Sequence, residues 1–299
     1  MGLSNSERIS ESELTFLGFG GHTTEDKSES EERMARSKYV KSEQEIKDYL
    51  SIYANPKFYD TEMVIFLYEA KPEAIAAILP PPLQPMDPPI VTVQNVSVGR
   101  SNCVSAFRGS GVWISCKYND LPGAHCVHMV MDTDQAIIFG RELMGEPKKY
   151  GKTSLVRQGS RVEARVERFG KEYITILGDL KGPANIDEMP KDSDLFYFKF
   201  FPACDGSGLE SDPILVKTHF KLHYNSLEQG QGEIEYLPSD HDFLSELQCI
   251  NPVGFFYGNV DIDASSERIT TIPAKDFLPY AFGKIDDWRL LNNMDQSFS

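Results

Sequence analysis

The sequence predicts an α+β fold that is mainly β: a large mixed or antiparallel barrel-like sheet with a few short helices at its periphery. From residue 90 onward apolar side chains recur at every second position, the period of a half-buried strand. These runs are rich in β-branched and aromatic residues and are bounded by turn residues. Helical patterns between them are few and short, which argues against the strand–helix alternation of a doubly wound parallel sheet.

Residues 1–40 are rich in Ser and Glu, with one apolar patch at Leu14–Phe19. They read as a flexible polar lead, too poor in apolar surface to offset the entropy of ordering. Gly18-Phe19-Gly20-Gly21 follows no strand pattern and is not a phosphate loop. Ser42-x-x-Glu45 forms a capping box ahead of Ile46, Tyr49, Leu50 and Tyr53 at helical spacing, which predicts a helix over 42–53. Glu62–Glu69 reads as a buried strand, and Pro72 opens a short helix that Pro80-Pro81-Pro82 stops. Strands are predicted at Ile90–Val98, Val112–Tyr118, His125–Met131 and Gln135–Phe139. Arg161–Arg168 and Glu172–Leu177 flank Phe169-Gly170-Lys171 as a hairpin. Leu195–Phe201, Ile214–Tyr224 and Glu233–Tyr236 continue the theme, with Gln229-Gly230-Gln231-Gly232 as a turn and Ser239–Leu247 as a short helix. No linker interrupts 55–290, so 41–299 is predicted to be one domain.

Composition narrows the function classes. A net charge of −15 over 299 residues argues against non-specific binding to nucleic acid or an anionic membrane. Five cysteines without a C-x-x-C pair predict neither a disulfide framework nor a structural metal site. With no signal peptide and no apolar stretch near 20 residues, the chain reads as soluble and cytoplasmic.

The segment Gly140-Arg141-Glu142-Leu143-Met144-Gly145-Glu146-Pro147-Lys148-Lys149-Tyr150 carries the chemistry. Pro147 fixes its own φ and restricts Glu146, so Lys148 leaves the chain from a defined position. An amine attacks a carbonyl only as the free base, and an ordinary lysine is almost wholly protonated at neutral pH. Apolar surroundings such as Leu143, Met144 and Tyr150 favour the neutral form, and a neighbouring cation such as Lys149 adds to this. On spacing alone, two adjacent lysines also fit an exposed charged surface.

Gly140-Arg141-Glu142 followed by Gly145-x-Pro147-Lys148-Lys149 resembles the signature of the acetoacetate decarboxylase family. The resemblance extends from about residue 58 to 285. Upstream, Tyr68, the helix after Pro72 and Pro80-x-Pro82-Leu83 are similar to the family's first strand, helix and turn. Downstream, Phe201-Pro202-Ala203-Cys204-Asp205-Gly206-Ser207 is similar to its Pro-x-x-Asp-Gly turn. The family implies a catalytic domain over 41–299, a homo-oligomer, and a cofactor-free lyase in which Lys148 forms an imine with a keto acid or ketone. A lysine activated by desolvation or a nearby cation is the known behaviour of acetoacetate decarboxylase itself. The protonated imine is an electron sink for decarboxylation of a β-keto acid, and would equally serve an aldolase, dehydratase or cyclase. Three positions depart from the family. Its arginine before the first strand falls near Thr61, one carboxylate at Gln94 and a second glutamate near Gly109. Gln94 can orient a carbonyl or water but is no general base.

The remaining candidates have weaker signals. Glu146 could serve as acid or base beside Lys148, and Arg108 could replace the missing cation. Arg141 and Glu142 could touch substrate or pair beneath the lysine loop. His125 could line the pocket; His125 and His128 face opposite ways on a strand and make a poor metal pair. His219 and His223 share a face without an evident carboxylate partner, a weak basis for zinc. A barrel that binds a ligand at Lys148 without turning it over is the rival from another class.

Overall fold

A computed structural model describes residues 37–291, and the expectations for the N-terminal lead lie outside them. The chain divides into two units, one ending at Ser51 and one running from Ile52. Helix α1 (Glu43–Ala54) begins at the predicted capping box. The Ser42 backbone N–H donates to Glu45 Oε2 at 2.9 Å, and the Glu45 N–H donates back to Ser42 Oγ at 3.3 Å.

The second unit is built on a twelve-stranded sheet. Seven strands close into a barrel in the order β10 (Asp192–Lys199), β5 (Leu121–Met131), β4 (Phe107–Tyr118), β3 (Ile90–Ser101), β1 (Lys57–Glu69), β12 (Asn251–Thr271) and β11 (Ile214–Tyr236). Closure runs through the antiparallel β10–β11 pair, so the barrel has no free edge. The far half of β11 leaves it and pairs with β9 (Lys171–Pro183), which continues into β8 (Arg161–Arg168) and β7 (Lys152–Gln158). Short β6 (Lys148–Tyr150) lies parallel to β5, and two-residue β2 (Gln84–Pro85) pairs with β4. Outside the sheet lie α2 (Pro72–Ile78), α3 (Asp134–Phe139), α4 (Ala274–Ala281) and α5 (Trp288–Leu291).

The period-two pattern explains how one strand serves two cores. On β1, Val64, Phe66 and Tyr68 join the larger apolar cluster, while Thr61 and Met63 line a cavity on the other face. On β3, Val91 and Val93 go to the cluster, and Gln94, Val96 and Val98 face the cavity.

Three local expectations are corrected. Gln135–Phe139 is helical, because Thr133 caps it by accepting from the Ala136 N–H, and a short apolar run does not distinguish helix from strand. Gln229–Gly232 is no turn but lies inside the 23-residue strand β11. Its glycines permit close approach: a Cβ at Gly230 would strike the Asp179 carbonyl, and one at Gly232 the Phe255 ring. Ser239–Leu247 holds only a single 3₁₀ turn, Leu244–Glu246. Strand β12 and helix α4 were not legible in the sequence. The predicted hairpin is present, with Phe169 and Gly170 at φ 52° and 73°.

Candidate active site

Helix α3 runs into a π-helical turn, Gly140–Met144, that ends at Gly145 with φ 80°, a conformation glycine adopts without strain. The Lys148 N–H then donates to the Glu146 carbonyl at 2.8 Å. This three-residue turn is centred on Pro147, whose ring presets the φ it needs. The two flanking side chains are thereby brought together: Lys148 Nζ stands 2.7 Å from Glu146 Oε2. Lys148 is 7% exposed and Glu146 6%. Arg141 Nη1 donates to the Lys148 carbonyl at 2.9 Å and ties the turn to the π-helical segment. Gly140 packs directly on the pair. A Cβ there would overlap Glu146 Oε2 and lie 2.6 Å from Lys148 Nζ.

The amine faces a cavity of about 100 Å³. Its walls come from β1, β3, β4, β5, β11 and β12, so it occupies the barrel lumen. Cavities of about 150 Å³ accept a benzene molecule, so this one takes only a small group as it stands. Four methionines, Met63, Met129, Met131 and Met144, line it and make the wall adaptable. Phe58, Phe107, Trp113, Phe139 and Phe220 supply most of the rest, with Thr61, Gln94 and Ser110 as polar groups. Among the described residues, Lys148 and Glu146 are its only charged lining side chains. The buried Thr61 hydroxyl, Trp113 indole N–H and Tyr197 hydroxyl have no hydrogen-bond partner of normal geometry. Burial, and then the charge of Glu146, hold the Tyr197 hydroxyl well above its ordinary pKa, so it stays protonated.

Lys149 points the other way, as successive residues of a strand do. Its Nζ lies 3.1 Å from Asp242 Oδ1 and 3.8 Å from Asp286. Arg168 binds Asp242 through both oxygens at 2.8 and 2.7 Å and Asp286 at 2.6 Å. Burial alone would raise the Asp242 pKa, but the cations Lys149 and Arg168 hold it below the ordinary value. His128 is pushed down to about 3, by burial first and with Asp242 opposing, so it is neutral. Its Nε2 accepts from the Tyr173 hydroxyl at 2.7 Å.

Of the other expected residues, all but Gln94 lie outside the lumen. Arg108 is exposed on β4, and its backbone N–H donates to Asp132. Glu142 is exposed on the π-helical turn. His125 is buried, but its Nδ1 donates to the Phe196 carbonyl at 2.9 Å and its Nε2 meets Lys284 Nζ at 2.7 Å. Gln94 does line the lumen, facing Gly111 on β4. His219 has carboxylate partners after all, Asp192 and Asp194 from β10, and His223 has Asp263 from β12. No cluster able to hold a metal ion occurs among the described residues. Sequence reading missed Asp242, Arg168, Tyr173, Tyr197 and Lys284. Arg168 and Asp242 stand 74 residues apart, and no spacing signals such a pairing.

A family model described as acetoacetate decarboxylase matches residues 46–270. The chain is similar to the "CLA biosynthesis isomerase" of Lactiplantibacillus plantarum, 24% identical over 81% of this chain and 92% of that protein. It is 30% identical to an acetoacetate decarboxylase of Burkholderia vietnamiensis over 50% of this chain and 62% of that protein, so this match spans under two thirds of the relative's length. The solved acetoacetate decarboxylase of Legionella pneumophila shares the fold, with a TM-score of 0.67 and 22% identity over 72% of this chain and 87% of that one. Among the described residues no helix is long and apolar enough to cross a membrane.

Proposed function

This chain belongs to the acetoacetate decarboxylase family, and on that premise we propose that Lys148 forms a Schiff base with a small keto acid or ketone, most simply to decarboxylate a β-keto acid. The observation that carries the reading is the Lys148 amine, 2.7 Å from Glu146, at the wall of a mainly apolar lumen. At hydrogen-bond distance, Glu146 is placed to take the ammonium proton as general base. The free amine adds to the carbonyl, and Glu146 gives up its proton as water leaves, producing the protonated imine. The bond from the α-carbon to the carboxylate then breaks and carbon dioxide departs. The electron pair flows to the imine nitrogen, giving an enamine. Glu146, reprotonated from solvent, protonates the α-carbon, and water hydrolyses the imine to release the ketone.

A second reading is supported by the charges in the lumen. Among the described residues Lys148 is its only cation and becomes the imine nitrogen, so a substrate carboxylate finds no further counter-ion among them. Glu146 beside an enamine also suits proton transfer between carbons of an unsaturated ketone, or aldol and dehydration chemistry. The L. plantarum relative's description as an isomerase agrees with the first of these. Supplying acetoacetate and a neutral β,γ-unsaturated ketone in D2O separates the readings. Carbon dioxide release supports the first, and deuterium at the α-carbon with a shifted double bond supports the second. Uptake of ligand without either would make the chain a binding barrel.

A further inference from the structure

On the opposite side of β5 and β6 from Lys148 lies a second cavity, of about 440 Å³, within the usual range for small-molecule sites of about 300–1,000 Å³. Its apolar walls are Ile78 on α2, Val127 on β5, Leu244 in the 3₁₀ turn and Leu247 just after it, and Pro279 on α4. At its polar end stand Lys149, His128, Asp242 and Lys284, while Glu246 is exposed. Apart from the exposed Glu246, the charges of this cluster are three cations, Lys149, Arg168 and Lys284, against two carboxylates, Asp242 and Asp286. Asp242 and Asp286 are taken up by Lys149 and Arg168, and His128 is neutral. Lys284, 7% exposed, has no carboxylate within ion-pairing distance among the described residues. Its one observed partner is His125 Nε2, which must be an acceptor because Nδ1 donates to the Phe196 carbonyl. An ammonium has three donors, so two remain unused.

We infer that this cavity is a binding site for an amphipathic monocarboxylate, its head group on Lys284 and its hydrocarbon tail along Ile78, Val127, Leu244 and Leu247. A buried cation without a counter-ion is costly, and an incoming carboxylate supplies the charge and the acceptors it lacks. Burial, with Lys149 nearby, pulls the Lys284 amine down to about 8, which leaves it mostly cationic at neutral pH. The site is distinct from the lumen because Lys148 does not line it.

Isothermal titration of octanoate into the full chain at pH 7 tests this, with octan-1-ol as the uncharged probe. Octanoate is expected to bind at one site at least tenfold more tightly than octan-1-ol. Lys284→Met should weaken it at least tenfold, and Lys148→Met should leave it within twofold. Ala77 stands exposed at the cavity edge, so Ala77→Phe should also weaken octanoate tenfold without touching Lys284, which decides the matter if Lys284→Met fails to fold. The inference is overturned by no saturable binding, by equal affinity for octan-1-ol, by an unchanged Ala77→Phe variant, or by loss of binding in Lys148→Met, which would place octanoate in the lumen.

Discussion

Gly140→Ala adds one methyl group at the point where the proposed reaction begins. The new Cβ would overlap Glu146 Oε2 and lie 2.6 Å from Lys148 Nζ and 2.7 Å from its Cδ, whereas ordinary contacts begin near 3.4 Å. Nζ would therefore retreat by about 0.8 Å, and the carboxylate by more. Both are far ends of flexible side chains, so the fold absorbs the change more easily than the site does. The backbone at Gly140 is right-handed helical, with φ −71°, so alanine is not strained there. Misplacing a reacting group by about 1 Å costs on the order of 10²-fold in rate, or roughly 2.7 kcal/mol of barrier. Imine formation, followed by borohydride trapping of a ketone and intact-protein mass, should slow about 10²-fold in Gly140→Ala while urea unfolding shifts by less than about 1 kcal/mol. A trapping rate within twofold of the parent chain would refute the reasoning that this packing sets the amine's position.

Further outcomes follow from the same geometry. Glu146→Gln keeps the shape but cannot carry the proton, so turnover should fall about 10²–10⁴-fold, measured as carbon dioxide release or α-deuteration. Asp242→Leu leaves Arg168 and Lys149 buried beside a single remaining carboxylate, Asp286; urea denaturation should show a loss of about 3–5 kcal/mol. His128 also ties stability to pH. Its native pKa is pushed down to about 3 from an ordinary 6.5, so the unfolded chain takes up its proton first on acidification. The stability it confers is whole above about 6.5 and drains as pH falls toward 3, by at most about 1.4 kcal/mol per pH unit. The urea midpoint should drop between pH 6.5 and 4, and His128→Gln should flatten that slope.

What the sequence revealed, and what it hid, follows from the range over which each signal acts. The period-two runs, the capping box at Ser42 and the Phe169-Gly170 hairpin are local, and each stands in the structure. Helix α3 escaped because Gln135–Phe139 is too short for periodicity to separate helix from strand, although Thr133 offered a capping signal. The glycines of β11 look like turn residues until Asp179 and Phe255 are brought against them. Of the residues that line the candidate site, Lys148, Glu146 and Gln94 were singled out from one motif and its resemblance to a family. Asp242 and Lys284 were not, since each acquires its meaning from partners distant in sequence, and neither was Tyr197, whose hydroxyl gains its place only when folding buries it near Glu146.

The most direct test is to incubate the chain with acetoacetate or a small apolar ketone, reduce with borohydride, and locate the added mass by peptide sequencing. A nitrogen that condenses with carbonyls from within the lumen predicts a stoichiometric adduct on Lys148, absent from Lys148→Ala. An adduct on Lys149 or Lys284 instead, or none with any keto compound that the chain converts, would contradict it.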